Sequence, residues 1–322
     1  MKAIRFETTG GPDVLRYLDV DLPQPGPGQA RVKHTVIGVN FIDTYHRSGL
    51  YKLPLPSGLG SEAAGVVESV GPGVTTLKPG DRVAYAGWMG AYAQANNIPA
   101  DRLVKIPAGV SDEIAAAAML KGMTAQYLLK RTYPVKRGET ILFHAAAGGV
   151  GLIAGQWAKH LGAIVIGTVG SDDKTMLARE NGCAHVLNSR DASWPKQVRE
   201  LSGGQGVPVV YDSIGKDTFV GSLDSLAVRG MLVSFGNSSG AVPAFEPGIL
   251  SAKGSLYLTR PTLGHYTRNA QELQETADDL FAVIASGAVK IAVHQRFALT
   301  DARKAHEALH SRATTGATVL IP

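Results

Sequence analysis

The stretch Thr140-Ile141-Leu142-Phe143-His144-Ala145-Ala146-Ala147-Gly148-Gly149-Val150-Gly151 decides the fold. An apolar run of strand type leads into a turn of small residues. Val150, Ile153, Ala154, Trp157 and Leu161 then recur at helical spacing, and Gly162 ends the helix. Small residues between a strand and a helix let backbone approach a pyrophosphate at the helix N-terminus, and let the helix lie close on the strand. Ala146 stands where the first glycine of G-x-G-x-x-G is usual, so the hexapeptide alone also fits a tight turn that binds nothing. The strand before it, the helix after it and a second apolar run at 163–169 supply the context of a dinucleotide-binding turn.

Working outward, further apolar runs fall at 207–211 and 231–235, separated by helical stretches. Alternating β and α elements predict right-handed crossovers and a parallel sheet covered on both faces, a Rossmann-type doubly wound domain over 123–260. Residues 1–122 have another texture. Alternating runs at 30–36 and 64–70 are punctuated by Pro25-Gly26, Gly71-Pro72 and Pro79-Gly80, the pattern of a many-stranded β domain. The segment 261–322 carries two helices, about 270–286 and 301–310, and a closing strand at 317–321.

Composition narrows the function. The 322 residues are 44% hydrophobic and 18% charged, enough apolar material to exclude a disordered chain. The longest apolar runs, such as 114–120, fall short of the roughly 18 residues that span a bilayer. The opening 1–7 alternates like a strand, and no apolar signal region follows it. A single cysteine, Cys183, permits no internal disulfide and no multi-cysteine metal site and fits a reducing, cytoplasmic setting. The net charge of +5 is spread over scattered cations, which argues against nucleic acid as a partner.

The second strand reports on the cofactor. An NAD site places an acid at its end to hold the ribose 2′-hydroxyl. Here Val169 is followed by Gly170 and Ser171, with Lys174 one turn on, a set that suits a 2′-phosphate and so NADPH. Asp172 and Asp173 read as first-turn residues behind an N-capping Ser171. A solvated surface lysine is the alternative for Lys174.

The run Gly138-Glu139-Thr140-Ile141-Leu142-Phe143-His144-Ala145-Ala146-Ala147-Gly148-Gly149-Val150-Gly151, continuing to Gln156 and Lys159, resembles the signature of the quinone oxidoreductase/zeta-crystallin family, the zinc-free branch of the medium-chain dehydrogenases/reductases. Gly38-Val39-Asn40-Phe41-Ile42-Asp43-Thr44-Tyr45, Leu59-Gly60-Ser61-Glu62-Ala63-Ala64-Gly65, Pro79-Gly80-Asp81-Arg82-Val83, Val233-Ser234-Phe235-Gly236-Asn237-Ser238-Ser239-Gly240 and Ser311-Arg312-Ala313-Thr314 extend the resemblance over essentially the whole chain. It implies a GroES-like catalytic domain formed by 1–122 and rejoined by 261–322, with the cofactor cleft between it and the Rossmann domain. It also implies a homodimer, paired through the last Rossmann strand at 254–258. The superfamily's zinc enzymes have a cysteine where Asn40 stands and a histidine where Ser61 stands. Their four-cysteine lobe has no counterpart here. Glu62 alone cannot supply the three or four ligands zinc needs, so no metal is expected.

The resemblance implies NADPH-dependent reduction of quinones by hydride transfer. A good hydride acceptor needs mainly proximity, plus a donor for the oxygen on which charge develops. Candidates are Asn40, Asp43, Tyr45 and Tyr51, with Asp43 read as orienting its neighbours; Tyr45 as a packed aromatic and Asn40 as a turn-fixing amide are the alternatives. For the cofactor the resemblance implies Phe41, Thr124 and Tyr127 on the nicotinamide side and Gly148, Gly149 and Val150 at the pyrophosphate. Gly170, Ser171, Lys174 and Ser189 would serve the adenosine phosphate, with Phe235, Asn237, Ser238 and Ser239 at the strand ends and Arg312 near the 2′-phosphate, where a surface arginine is the alternative. Gly236-Asn237-Ser238-Ser239-Gly240 matches G-x-S-x-G literally, but Ala241-Val242-Pro243 follows where a nucleophile elbow needs a helix. Two other functions stay open: reduction of an enone or enal double bond, and NADPH binding without catalysis in a crystallin or RNA-associated protein.

Overall fold

The computed structural model describes residues 1–311 and 314–322. In chain order its elements are β1 (Lys2–Phe6), β2 (Arg16–Asp19), β3 (Gln29–Val39), α1 (Phe41–Ser48), β4 (Ser57–Gly58), β5 (Glu62–Val70), β6 (Arg82–Ala86), β7 (Ala95–Pro99), β8 (Val104–Lys105) and α2 (Asp112–Tyr127). Then come β9 (Thr140–Phe143), α3 (Gly149–His160), β10 (Ile164–Val169), α4 (Thr175–Glu180), β11 (Cys183–Asn188), α5 (Trp194–Leu201), β12 (Val207–Asp212), α6 (Phe219–Ser225), β13 (Leu226–Ser234), α7 (Gly248–Ala252) and β14 (Tyr257–Thr259). The chain finishes with α8 (Leu263–Tyr266), α9 (Ala270–Ala285), β15 (Val293–Ala298), α10 (Ala302–His310) and β16 (Ala317–Ile321).

Two compact units result. The first comprises 1–123, 266–285 and 291–322; the second comprises 124–265 and 286–290. In the first, a mixed sheet runs β15-β16-β3-β5-β6-β8, and β7 also pairs with β3. The eleven-residue β3 shares one edge between two partners, with β7 on 29–33 and β16 on 37–39. Its alternating side chains bury Ala30, Val32, Ile37 and Val39 against Phe6, Leu59, Val67, Val83, Tyr85 and Tyr92. The last turn of β3 delivers the chain to Asn40, and so sets where α1 begins.

The second unit is a six-stranded parallel sheet in the order β11-β10-β9-β12-β13-β14, the doubly wound arrangement whose ligands lie at the carboxyl ends of the strands. Leu142, Ile166, Val210 and Leu232 pack one face against Trp194, Val198, Phe219 and Leu223. The strand expected over 254–258 lies instead at Tyr257–Thr259. Gly254 and Ser255 have φ of 118° and 54°, so the chain is still turning there and Leu256 is the residue that returns to the sheet core. No helix among the described residues is long and apolar enough to cross a membrane.

Candidate functional site

In the second unit the glycine turn leaves β9 and starts α3 at Gly149, with Gly148 as N-cap in extended conformation (φ −81°, ψ 171°). The left-handed position of the turn is taken by Ala145 (φ 53°), a conformation that costs an alanine about 1 kcal/mol and that tight functional turns tend to hold. A Cβ at Gly151 would collide with the Ala145 carbonyl, so this glycine lets helix and turn approach. The first turn of α3 has no side-chain cap and no acidic residue. Its N–H groups and the positive end of its dipole therefore suit an anion, which is what a pyrophosphate requires.

Beneath this turn, a buried polar chain joins three strand ends. Thr168 Oγ1 lies 2.8 Å from His144 Nδ1, and His144 Nε2 lies 3.0 Å from Ser222 Oγ. Ser222 and Thr218 donate to Asp212 Oδ2 at 2.8 and 2.7 Å, while Asp212 Oδ1 accepts from the N–H groups of Ile214 and Gly215. Since Ser222 donates to the carboxylate, it accepts from His144, whose Nε2 carries the proton and whose Nδ1 accepts from Thr168. Burial holds His144 below its ordinary titration range.

The adenosine-side candidates meet at the end of β10. Ser189 donates its N–H and its hydroxyl to Val169 O, at 2.8 and 3.1 Å, which sets it beside Gly170, Ser171 and the half-buried Lys174. Ser171 takes the N-cap position with Asp172 and Asp173 in the first turn, but its side chain makes no capping bond. The following segment is a 3₁₀ turn over Asp172–Lys174, and Asn188 donates to Asp172 Oδ1 at 2.9 Å. Phe235 packs on Phe143 with ring centroids 5.8 Å apart and donates its N–H to Asp212 O. Asn237 donates to Gly236 O at 2.8 Å and accepts from Arg260 at 3.1 Å. Ser239 is committed to the neighbouring loop after β12, donating to Ile214 O and accepting from the Asp217 N–H. No helix follows Ser238. Thr124 and Tyr127 are buried in the last turn of α2. Arg312 lies outside the described residues.

The first unit holds Asn40, Phe41, Asp43, Tyr45 and Tyr51, and it separates them into two groups. Phe41, Tyr45 and Tyr51 form a half-buried aromatic cluster, the two tyrosine rings edge to face at 5.3 Å. Asn40 and Asp43 belong to a buried polar junction. Asn40 is the N-cap of α1, and its backbone N–H donates to Asp43 Oδ2 at 2.8 Å. Its side-chain Nδ2 donates to Glu62 Oε2 at 2.8 Å, Lys121 Nζ donates to the same oxygen at 2.9 Å, and the Leu120 N–H donates to Glu62 Oε1 at 2.6 Å.

A second chain reaches Asp43 from the other side. Arg47 lies 3.0 Å from His306 Nδ1, and His306 Nε2 lies 3.1 Å from Tyr92 Oη, which donates to Asp43 Oδ2 at 3.0 Å. The donor sense runs from Arg47 to Asp43, because arginine can only donate. Burial pushes the Asp43 carboxyl up to about 7, against the pull of the Asn40 N–H, the Tyr92 hydroxyl and Lys121. Burial, with the Arg47 charge beside it, pushes His306 down to about 3. Asp43 Oδ1 and Ser61 Oγ are buried and without a hydrogen-bond partner among the described residues. No three His, Cys, Asp or Glu side chains gather as a metal-binding group among those residues.

Sequence reasoning missed Lys121, Tyr92, His306, Arg47, His144, Asp212 and Arg260, and took Glu62 only as a failed metal ligand. Lys121 carried a signal: a lone charge inside the apolar 114–123 has to be paired if it is buried. His306 and Tyr92 carried none, being 214 residues apart.

The chain matches two family models, described as alcohol dehydrogenase GroES-like domain over residues 26–108 and zinc-binding dehydrogenase over 149–282. It is 55% identical to the quinone oxidoreductase of Pseudomonas aeruginosa, over 100% of this chain and 99% of that protein. It is 47% identical to a 2-haloacrylate reductase of a Burkholderia species, over 97% and 96%. The crystal structure of the Escherichia coli quinone oxidoreductase complexed with NADPH superposes with a TM-score of 0.98 at 52% identity, covering 100% of both chains. On the glycine turn, the parallel sheet order and this full-length similarity, the chain belongs to the quinone oxidoreductase family of the medium-chain dehydrogenases/reductases.

Proposed function

We propose that this protein reduces quinones with NADPH. The observation that carries the reading is the uncapped, acid-free N-terminus of α3 behind its small-residue turn, a site shaped and charged for a dinucleotide pyrophosphate. The full-length likeness to quinone oxidoreductases supplies the substrate class. When bound, NADPH supplies the hydride. Gly148, Gly149 and Val150 would hold its pyrophosphate, and Gly170, Ser171 and Lys174, with Ser189 beside them, its 2′-phosphate. Phe235, Asn237 and Ser238 border the carboxyl ends of the strands, while Ser239 shapes that loop.

The chain's own part in the reaction is orientation and charge. As hydride reaches a quinone, negative charge develops on oxygen, and a preorganised N–H or O–H lowers the barrier. Asn40 and Tyr45 are the donors we assign to that oxygen. Tyr51 braces the Tyr45 ring, and Phe41 packs on its other side. Asp43 acts through Asn40 by holding its backbone. The unpartnered Ser61 hydroxyl beside Glu62 fits the same polar task.

The likeness to the 2-haloacrylate reductase favours a second reading, reduction of an activated carbon–carbon double bond. Purified protein should oxidise NADPH with an ortho-quinone or a para-quinone. Turnover with an enone or 2-haloacrylate alone would replace the leading reading by the second, and NADPH binding without turnover would remove both. Among the described residues β14 pairs with β13 alone, and Tyr257 and Val228 are exposed there. We assign that edge to a homodimer interface, which would cover it. The single cysteine, Cys183, buried and in no disulfide, supports a cytoplasmic setting.

A further inference from the structure

We infer that Glu62, charge-balanced by Lys121, is the positioning residue that fixes which end of the Asn40 amide is offered to substrate. This rests on the reading of Asn40 as a donor to the quinone oxygen.

A carboxylate accepts and never donates, so the amide facing Glu62 Oε2 at 2.8 Å presents its nitrogen and not its oxygen. An amide nitrogen carries two hydrogens. One is held by Glu62, and the second is thereby fixed in direction, a donor aimed before the substrate arrives. With an amide or a water in place of the carboxylate, Asn40 could turn over and present its oxygen, which would repel the developing negative charge.

Three observations show that the carboxylate is built in rather than tolerated. Glu62 is fully buried and Lys121 is 5% exposed, and their contact at 2.9 Å balances a charge that would otherwise be prohibitive there. Glu62 Oε1 is pinned separately by the Leu120 N–H at 2.6 Å, so the group cannot rotate. Finally, β3 has a glycine at the point of contact: a Cβ on Gly38 would collide with the Glu62 carboxylate and with the Ala116 carbonyl. The strand that carries Asn40 is hollowed to admit the residue that aims it.

The test compares Asn40→Ala, Glu62→Gln and the double variant in NADPH oxidation with a para-quinone, alongside NADPH affinity by fluorescence and melting temperature. Asn40→Ala should lower kcat by about 10²- to 10³-fold, as loss of an oxyanion donor does, with NADPH affinity unmoved. Glu62→Gln should lower kcat by a comparable factor, and the double variant should be no slower than Asn40→Ala alone. Because Glu62→Gln leaves Lys121 as an unpaired buried cation, Glu62→Gln/Lys121→Met is made as well. It should recover melting temperature without recovering kcat, separating aim from stability. Multiplying losses in the double variant, or recovery of kcat together with melting temperature, would overturn the inference. A wild-type kcat in Glu62→Gln beside a slow Asn40→Ala would do the same. A wild-type kcat in Asn40→Ala would instead overturn the assignment of Asn40 on which it rests.

Discussion

Tyr92, which precedes β7, donates its hydroxyl to Asp43 Oδ2 on α1 at 3.0 Å, and the same oxygen atom of Tyr92 receives His306 Nε2 at 3.1 Å. One hydroxyl thus links the first turn of α1 to α10, near the end of the chain. Tyr92→Phe keeps the ring and removes that link. It leaves the buried imidazole N–H of His306 unsatisfied, at a cost of about 1–3 kcal/mol, and removes one of the two donors to Asp43 Oδ2. Thermal unfolding should register a clear drop; a Phe variant as stable as the parent would mean the hydroxyl is not holding these elements together.

The buried titrating groups give stability a pH dependence whose sign can be worked out. His34, wedged between Ala93 O and the Tyr85 hydroxyl, is pushed down to about 4, His306 to about 3, and His144 is lowered too, burial leading in each case. Between about pH 6.5 and 4 the unfolded chain takes up protons that these folded imidazoles refuse. Stability therefore falls as the pH drops through that window, by up to about 1.4 kcal/mol per pH unit for each ring. Asp43 works in the opposite sense. Its folded carboxyl titrates at about 7 against 3.8, so the folded state holds an extra proton in the window and loses stability as the pH rises through 7. The imidazoles outnumber it, so the melting temperature should fall from pH 7.5 to 5, and more steeply in Asp43→Asn. A flat profile would show that the rings are not neutral and buried in solution.

Lys174→Ala should weaken NADPH binding by about 1.5–3 kcal/mol, the scale of one charge-assisted bond, and leave NADH binding nearly as it was. Fluorescence titration with the two cofactors decides it. An equal effect on both would take Lys174 away from the 2′-phosphate.

Tyr257→Lys on β14, with Val228→Lys near the start of the adjoining β13, places like charges beside the open edge of the sheet, a known deterrent to strand pairing. Sedimentation should find a dimer in the parent and a monomer in the variant. A variant that stays dimeric would move the interface elsewhere.

Much of the fold was legible because its signals are local. The run 140–151 carries a strand, a turn and a helix in consecutive residues, and Gly151 states its own reason through the Ala145 carbonyl it must pass. The placement of β14 was harder. Gly254 and Ser255 look like the start of an apolar strand, yet both take positive φ, and composition does not reveal backbone angles. At the site, Asn40 and Asp43 were visible in one short motif. Their partners were not, because Lys121 comes from α2 and His306 from α10, and only the packing of α2 on Glu62 of β5 and of α10 on α1 brings them near. Ser171 does sit at the N-cap position, but the chain winds there as a 3₁₀ turn and the serine side chain makes no capping bond, a detail that composition does not reveal.

The strand order of the first unit has a consequence for synthesis. Thr318, Val319 and Leu320 of β16 pair with Val39, Gly38 and Ile37, the part of β3 that precedes Asn40. A ribosome adding about 5–20 residues per second leaves that stretch of edge bare for roughly 15–60 s, the last ~3–12 s of it after β14 has been made. The nascent chain then carries the strands of the second unit behind an open, apolar sheet edge, exposed to chaperones and to aggregation. Cofactor affinity should therefore mature before catalysis does, since Asn40, which we assign to the substrate oxygen, follows directly on the stretch of β3 that waits for β16.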